Sequence, residues 1–212
     1  MQTKNKDRGN EMIELNKIHN IDCLDYMKTV PDKYFDLVLT DPPYGLGISS
    51  NPIRQKHTKK EWDNNIRTNE IFNEIMRVSK NQIIWGGNYF NLPPSKGFII
   101  WDKKQSYDFS LAMCEYAYSS FDFPAKMYSY ANRGDEEKLH PSMKPLKLMD
   151  FCINFALERD NNIKSIFDPF SGSGTTLVSA KSKGLDYVGC ELDKDYYEII
   201  NKRLSQVQGS LF

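Results

Sequence analysis

No apolar run in this 212-residue chain approaches the roughly 18 residues that a membrane span needs. The polar start MQTKNKDRGN has no hydrophobic segment of the kind a secretory signal carries, so the expected location is cytoplasmic. Cys-x-x-Cys pairs are also missing. The four cysteines, Cys23, Cys114, Cys152 and Cys190, are scattered, which points to reduced, mostly buried thiols and to neither a zinc nor a redox motif. Excess charge is lacking too: 28 basic residues stand against 28 acidic ones, mild evidence against a protein whose main work is gripping nucleic acid. There is no internal repeat, low-complexity tract or interdomain linker. What is present is an ordinary globular composition, 40% hydrophobic and 26% charged, in a length that suits one sizeable α/β domain.

Short apolar runs alternate with longer helical patterns, as in a parallel sheet with crossover helices. Strands are expected at 17–21, 36–40 (DLVLT), 82–85 (QIIW), 97–101 (GFIIW), 115–120 (EYAYSS), 165–167 (SIF) and 187–190 (YVGC). Helices are expected at 69–79, 145–157, 175–183 and 195–204. The division is a flexible arm over 1–12, one domain over 13–205 and a tail over 206–212. Nearly continuous apolar strands imply a sheet covered on both faces, whose ligands bind at the carboxyl ends of the strands.

Two motifs stand at such ends. DLVLT runs directly into Asp41, Pro42, Pro43 and Tyr44. The prolines stiffen the loop and keep the residues before them out of the helical region, so Asp41 is presented at a strand end with Tyr44 on a rigid arm. This suits the methylation of an exocyclic base nitrogen, whose lone pair is delocalised into the ring. A carboxylate and the Pro42 carbonyl can accept its two hydrogens and localise that pair, while Tyr44 stacks on a base flipped out of the duplex.

The second motif, IKSIFDPFSGSGTT, places Asp168 at a strand end, then Phe170, Ser171, Gly172 and Gly174, with a helix opening near Thr175. Glycines permit a tight turn and close approach to a ligand. Glu191 ends the next strand, 19 residues beyond Gly172 (191 − 172), where an acid commonly holds a ribose hydroxyl. The loop lacks a Gly-Lys-Ser/Thr ending, and the Asp168 carboxylate would repel phosphate, so a sulfonium cofactor fits better than a nucleotide triphosphate. A nicotinamide-binding reading leaves Asp41 to Tyr44 unexplained.

DPPY followed by DPFSGSGTT resembles the amino-methylating DNA methyltransferases, and the order, catalytic motif before cofactor loop, resembles their circularly permuted beta class. The resemblance spans about residues 18–204. It implies a Rossmann-like S-adenosylmethionine-dependent methyltransferase fold: a mostly parallel seven-stranded sheet with one antiparallel strand near EYAYSS, and helices on both faces. It implies S-adenosylmethionine as cofactor, double-stranded DNA as substrate, and dimerisation, which is common in the family. IHNIDCLDYM resembles the family segment in which Asp22 and Cys23 meet the cofactor's adenine. Trp85 to Asn88 resemble a pocket-lining strand end. LHPSMKP resembles the His-Pro-x-x-Lys-Pro motif, in which His140, Ser142 and Lys144 would hold the methionine end. Aspartate at the head of DPPY is more usual for N6 of adenine than for N4 of cytosine. The family often inserts a substantial target-recognition segment before the His-Pro motif. Here only 121–139 is available, carrying Lys126 and Arg133, so recognition is expected to be short, loose or shared with a partner.

Direct displacement is expected, with no metal and no covalent adduct. Carbon-5 methylation needs a cysteine after proline, and none of the four cysteines has one. Other readings are N4-cytosine transfer, RNA methylation and a catalytically silent DNA-binding subunit. The loop over 48–60, with Arg54, Lys56, His57, Lys59 and Lys60, is expected to contact DNA phosphates. The end of the chain, Gln208-Gly209-Ser210-Leu211-Phe212, resembles the short peptide that docks on the bacterial sliding clamp, with a frayed tail as the plain alternative.

Overall fold

A computed structural model describes residues 13–43, 68–108, 112–131 and 143–207. The alternation of strand and helix is present there. The strands are β1 (Lys17–His19), β2 (Phe35–Thr40), β3 (Ser79–Trp85), β4 (Phe98–Asp102), β5 (Cys114–Ser119), β6 (Lys126–Ser129), β7 (Ser165–Asp168) and β8 (Asp186–Cys190). The helices are α1 (Cys23–Met27), α2 (Thr68–Val78), α3 (Leu146–Leu157), α4 (Thr175–Ser182) and α5 (Lys194–Gln206).

All strands join one sheet in the order β1-β8-β7-β2-β3-β5-β4-β6. The expected count of seven is corrected to eight. The additional strand, β6, pairs in parallel with β4 inside the segment set aside for target recognition. β5 is antiparallel to both its neighbours, β3 and β4, and every other pairing is parallel. Phe121 and Phe123, from the same segment, pack against Phe155 of α3, so its first part belongs to the core.

Helices cover both faces. α3, α4 and α5 pack on one through Leu148, Ile153, Leu177 and Ile200. α1 and α2 pack on the other through Leu24, Met27, Phe72 and Ile75. α5 shows how its sequence produces this. Asp193 caps its amino end by accepting from the Asp195 and Tyr196 amides at 2.9 and 3.3 Å. Tyr196, Ile200 and Leu204, four residues apart, form its buried stripe. Each such burial contributes about 1.5–3 kcal/mol before entropy is counted.

At the amino end of the sheet, Asp36 accepts from the Lys164 amide, the Ser165 amide and the Ser165 hydroxyl at 2.9–3.0 Å, and from Lys80 Nζ at 2.7 Å. These bonds set β2 against β7, and so fix the relative height of the loops at the opposite end. Among the described residues no helix is long and apolar enough to cross a membrane. Cys23, Cys152 and Cys190 are buried, and Cys114 is exposed.

Candidate active site

The chain leaves β2 toward β3 on one side of the sheet, and leaves β7 toward β8 on the other. The crevice of a doubly wound sheet opens where the winding reverses in this way, between β2 and β7. Both sequence motifs stand there. Asp41 follows the last residue of β2, and Asp168 is the last residue of β7. Thr40 Oγ1 donates to Asp168 Oδ1 at 2.7 Å, joining the two strand ends directly. Asp41 is also close enough for its charge to add to the raised pKa of Asp168.

On the β7 side the glycine loop is bonded on itself and to its neighbours. The Phe170 amide and the Ser171 hydroxyl donate to Asp168, to Oδ1 at 3.1 Å and to the carbonyl at 3.0 Å. Gly174 sits at φ 80°, left-handed, where a Cβ would also lie 2.8 Å from Ile200 Cγ2, so glycine is required on two counts. Arg203 of α5 donates to the Ser173 carbonyl at 2.6 Å and to Thr175 Oγ1 at 3.2 Å, which pins the loop as it enters α4. Glu191, just past β8, accepts from the Gly172 amide and the Asp193 amide, both at 2.8 Å. The Glu191 amide donates to the His19 carbonyl at 3.0 Å, and Asn20 Nδ2 donates to the Glu191 carbonyl at 2.8 Å. Asp22 caps α1 through the Leu24 amide at 2.9 Å, and Cys23 is buried behind it. Asp22 and Cys23, Glu191, and Asp168 with its loop thus follow three successive strands, β1, β8 and β7.

The two acids of this half have few compensating charges. Burial raises Asp168 to about 6, against the lowering effect of the Thr40 and Thr176 hydroxyls and the Phe170 amide. Burial raises Glu191 to about 7, against the Asp193 and Gly172 amides. Among the described residues neither acid forms an ion pair with a lysine or arginine.

On the β2 side charges alternate. Lys144 Nζ donates to Asp41 Oδ2 at 2.5 Å and lies 2.9 Å from Glu115 Oε2, an ion pair without the alignment of a full hydrogen bond. Glu115 Oε1 pairs in turn with Lys103 Nζ. The Lys144 side chain is 7% exposed and that of Lys103 is 9% exposed. Each ammonium also faces an indole, Lys144 over Trp85 at 5.7 Å and Lys103 over Trp101 at 5.2 Å. Burial would raise Glu115, but Lys144 and then Lys103 outweigh it and hold the carboxyl well below the usual range. Burial would lower Lys144, but Asp41 and Glu115 outweigh it and raise its pKa.

Local sequence accounts for this placement. Lys144 precedes Pro145 and so is kept extended, which carries it away from the start of α3. Glu115 shares a face of β5 with Ala117 and stands opposite Trp101 of β4. Glu115, Lys103 and Thr40 were not singled out from sequence. A glutamate at an inward position of EYAYSS, alternating with Ala117 and Ser119, was the signal available for the first of them.

Asp41, Pro42, Asp168, Ser171, Gly172, Gly174, Thr175 and Glu191 therefore gather at adjacent strand ends, with Lys144 among them. Lys126 lies on the exposed edge strand β6. Tyr44, Arg54, Lys56, His57, Lys59, Lys60, Arg133, His140, Ser142 and the 208–212 tail lie outside the described residues.

A doubly wound sheet with its reversal flanked by these two loops defines a nucleotide-type cofactor fold equipped for group transfer. The family model described as DNA methylase, N6_N4_Mtase, matches residues 84–202, and the chain belongs to that family of S-adenosylmethionine-dependent DNA methyltransferases. The chain is similar to the type II methyltransferase M2.MboI of Moraxella bovis, 26% identical over 90% of this chain and 88% of that one. In fold it is similar to the M1.HpyAVI–SAM complex, with a TM-score of 0.56 and 18% identity, covering 89% of this chain and 98% of that one. It is likewise similar to the cytosine-N4-specific PvuII DNA methyltransferase, with a TM-score of 0.60 and 16% identity, covering 92% of this chain and 87% of that one.

Proposed function

We propose that this DNA methyltransferase acts on N6 of adenine in a base flipped out of duplex DNA, with Asp41 and the Pro42 carbonyl receiving the amino group. The observation that carries the reading is the direct Thr40–Asp168 bond, which sets the two loops side by side at the reversal of the sheet. The residues at the β1, β8 and β7 ends suit the cofactor. Asp168, Glu191 and Asp22 offer carboxylate acceptors, which match hydroxyls, an amino group and a sulfonium and would repel a phosphate. Glu191 would take the ribose, Asp22 and Cys23 the adenine, and Asp168, Phe170, Ser171, Gly172, Gly174 and Thr175 the wall of the cleft. His140 and Ser142 would take the methionine end. Bound S-adenosylmethionine supplies a methyl group made electrophilic by its sulfonium.

The protein's part is orientation. Asp41 and the Pro42 carbonyl accept the two amino hydrogens, which turns the nitrogen lone pair out of conjugation. Tyr44 stacks on the ring and fixes its plane. The charge of Asp41 is balanced by Lys144. The Asp41 oxygens face the positive charge that grows on the nitrogen, and the group acts by electrostatics and orientation rather than as a strong base. The loop carrying Arg54, Lys56, His57, Lys59 and Lys60 supplies phosphate contacts, with Lys126 and Arg133 on the target side.

Adenine is favoured by the aspartate heading DPPY. The test is transfer of labelled methyl to double-stranded DNA and to RNA, followed by nucleoside analysis. N6-methyladenine in DNA is the expected product. N4-methylcytosine, or label in RNA alone, overturns the assignment.

A further inference from the structure

We infer that Glu115 and Lys144 are positioning residues for methyl transfer: Glu115 steers the Lys144 ammonium, and Lys144 fixes the Asp41 carboxylate that receives the base. This rests on the proposed role of Asp41 and gives Lys144 a different task from the one implied by its place in the His-Pro-x-x-Lys-Pro motif.

Three features carry it. The first is continuity: Asp41, Lys144, Glu115 and Lys103 form an unbroken row of alternating charge, arising from β2, the approach to α3, β5 and the end of β4. The second is burial. Lys144 is 7% exposed and already lies between two carboxylates, so binding a third on the cofactor would have to compete with both. A buried ion pair is a poor source of stability relative to apolar packing, and its use lies in fixing one arrangement. The third is neutrality. Among the described residues the row holds two anions and two cations, and the Trp85 and Trp101 rings line it.

The row constrains a carboxylate that would otherwise swing about its own side-chain torsions. Small displacements of an orienting group are costly to rate, on the order of a hundredfold for about 1 Å. Losing Lys144 should therefore act on kcat. Losing Glu115 should act the same way but more weakly, because Lys144 retains Asp41.

The test uses the full chain and three readouts: methyl transfer to DNA, equilibrium binding of S-adenosylmethionine, and the pH profile of kcat. Lys144→Met should lower kcat about a hundredfold and Glu115→Gln about tenfold, with the cofactor Kd of each within about twofold of wild type. The acid limb of the kcat profile should move to higher pH in Lys144→Met, because a carboxylate deprived of its cation is protonated more easily. The double variant Glu115→Gln/Lys103→Met removes one charge of each sign and reads the same kcat loss should the single Glu115 variant fail to fold. Asp41→Ala runs in parallel. If it is inactive while Lys144→Met or Glu115→Gln turns over normally, the positioning role is wrong and the Asp41 assignment stands. If Asp41→Ala itself methylates normally, both are wrong. A Lys144→Met protein that loses cofactor affinity tenfold or more but keeps kcat at saturating cofactor places Lys144 on the cofactor and overturns the inference.

Discussion

Glu115 of β5, which shares Lys144 with Asp41, and the acids at the ends of β7 and β8 are the same kinds of side chain in one crevice, and their surroundings drive them in opposite directions. Glu115, joined to Asp41 through Lys144, is half-buried between two ammonium groups and is held well below the normal carboxylate range. Asp168, buried, and Glu191, half-buried, lie among amides and hydroxyls and rise to about 6 and about 7. Around Asp168 and Glu191 amide and hydroxyl dipoles offset only part of the desolvation, whereas the two lysines at Glu115 outweigh it. Among the described residues, the acids of one half of the crevice are thus each paired with a lysine. The other half keeps acceptor capacity for a ligand bearing hydroxyls and positive charge. The half paired in this way suits repeated orientation of a neutral base, and the other suits tight uptake of a cationic cofactor.

The contrast can be broken at its two ends. The largest expected effect is on turnover. Asp41→Ala should lower kcat about a thousandfold or more, measured as labelled methyl incorporated into DNA at saturating cofactor. A loss below tenfold would mean that the β2 side is not where the base is handled.

Next is the pH dependence of cofactor affinity. With a pKa of about 7 in the cofactor-free protein, Glu191 is mostly protonated at pH 6 and mostly ionised at pH 8. A ribose hydroxyl held by Glu191, as proposed, would donate to the ionised form, so affinity should rise with pH, by about tenfold from pH 6 to pH 8. Glu191→Gln should flatten this slope in titrations of S-adenosylmethionine. The sign for folding is the reverse. A carboxyl whose pKa is raised by folding contributes stability that is complete below its unfolded value near 4.5 and is lost as pH rises through about 7. The melting temperature of the cofactor-free protein should therefore carry a downward contribution over that window, which Glu191→Gln removes.

The smallest effect sharpens the comparison by touching only the loop. Gly174→Ala places a methyl at φ 80° and 2.8 Å from Ile200 Cγ2, and should cost about 1 kcal/mol of stability, read by thermal or urea unfolding. Cofactor affinity should fall modestly, while kcat at saturation stays near wild type.

Much of this was legible in the residues alone. The strand-then-motif arrangement placed Asp41 and Asp168 at strand ends, and helix periodicity located α2 to α5 within a residue or two at most boundaries. The misses share a cause. β6 reads Lys-Met-Tyr-Ser, mostly exposed along an edge, and carries no apolar run to announce it. α1 is five residues long, too short for a helical period to show. The charge row joins residues up to 103 positions apart in the chain, and the pairing of β5 between β3 and β4 brings Glu115 to the lysine that holds Asp41. Local pattern reports which side chains face inward; it does not report which inward charges meet.

The division of labour between the two strand ends is tested most directly by equilibrium binding of S-adenosylmethionine to Asp41→Ala and Glu191→Ala side by side. The expected result is an unchanged Kd, within about twofold, for Asp41→Ala and a Kd raised about tenfold or more for Glu191→Ala. Loss of cofactor binding in Asp41→Ala, with normal binding in Glu191→Ala, would contradict it.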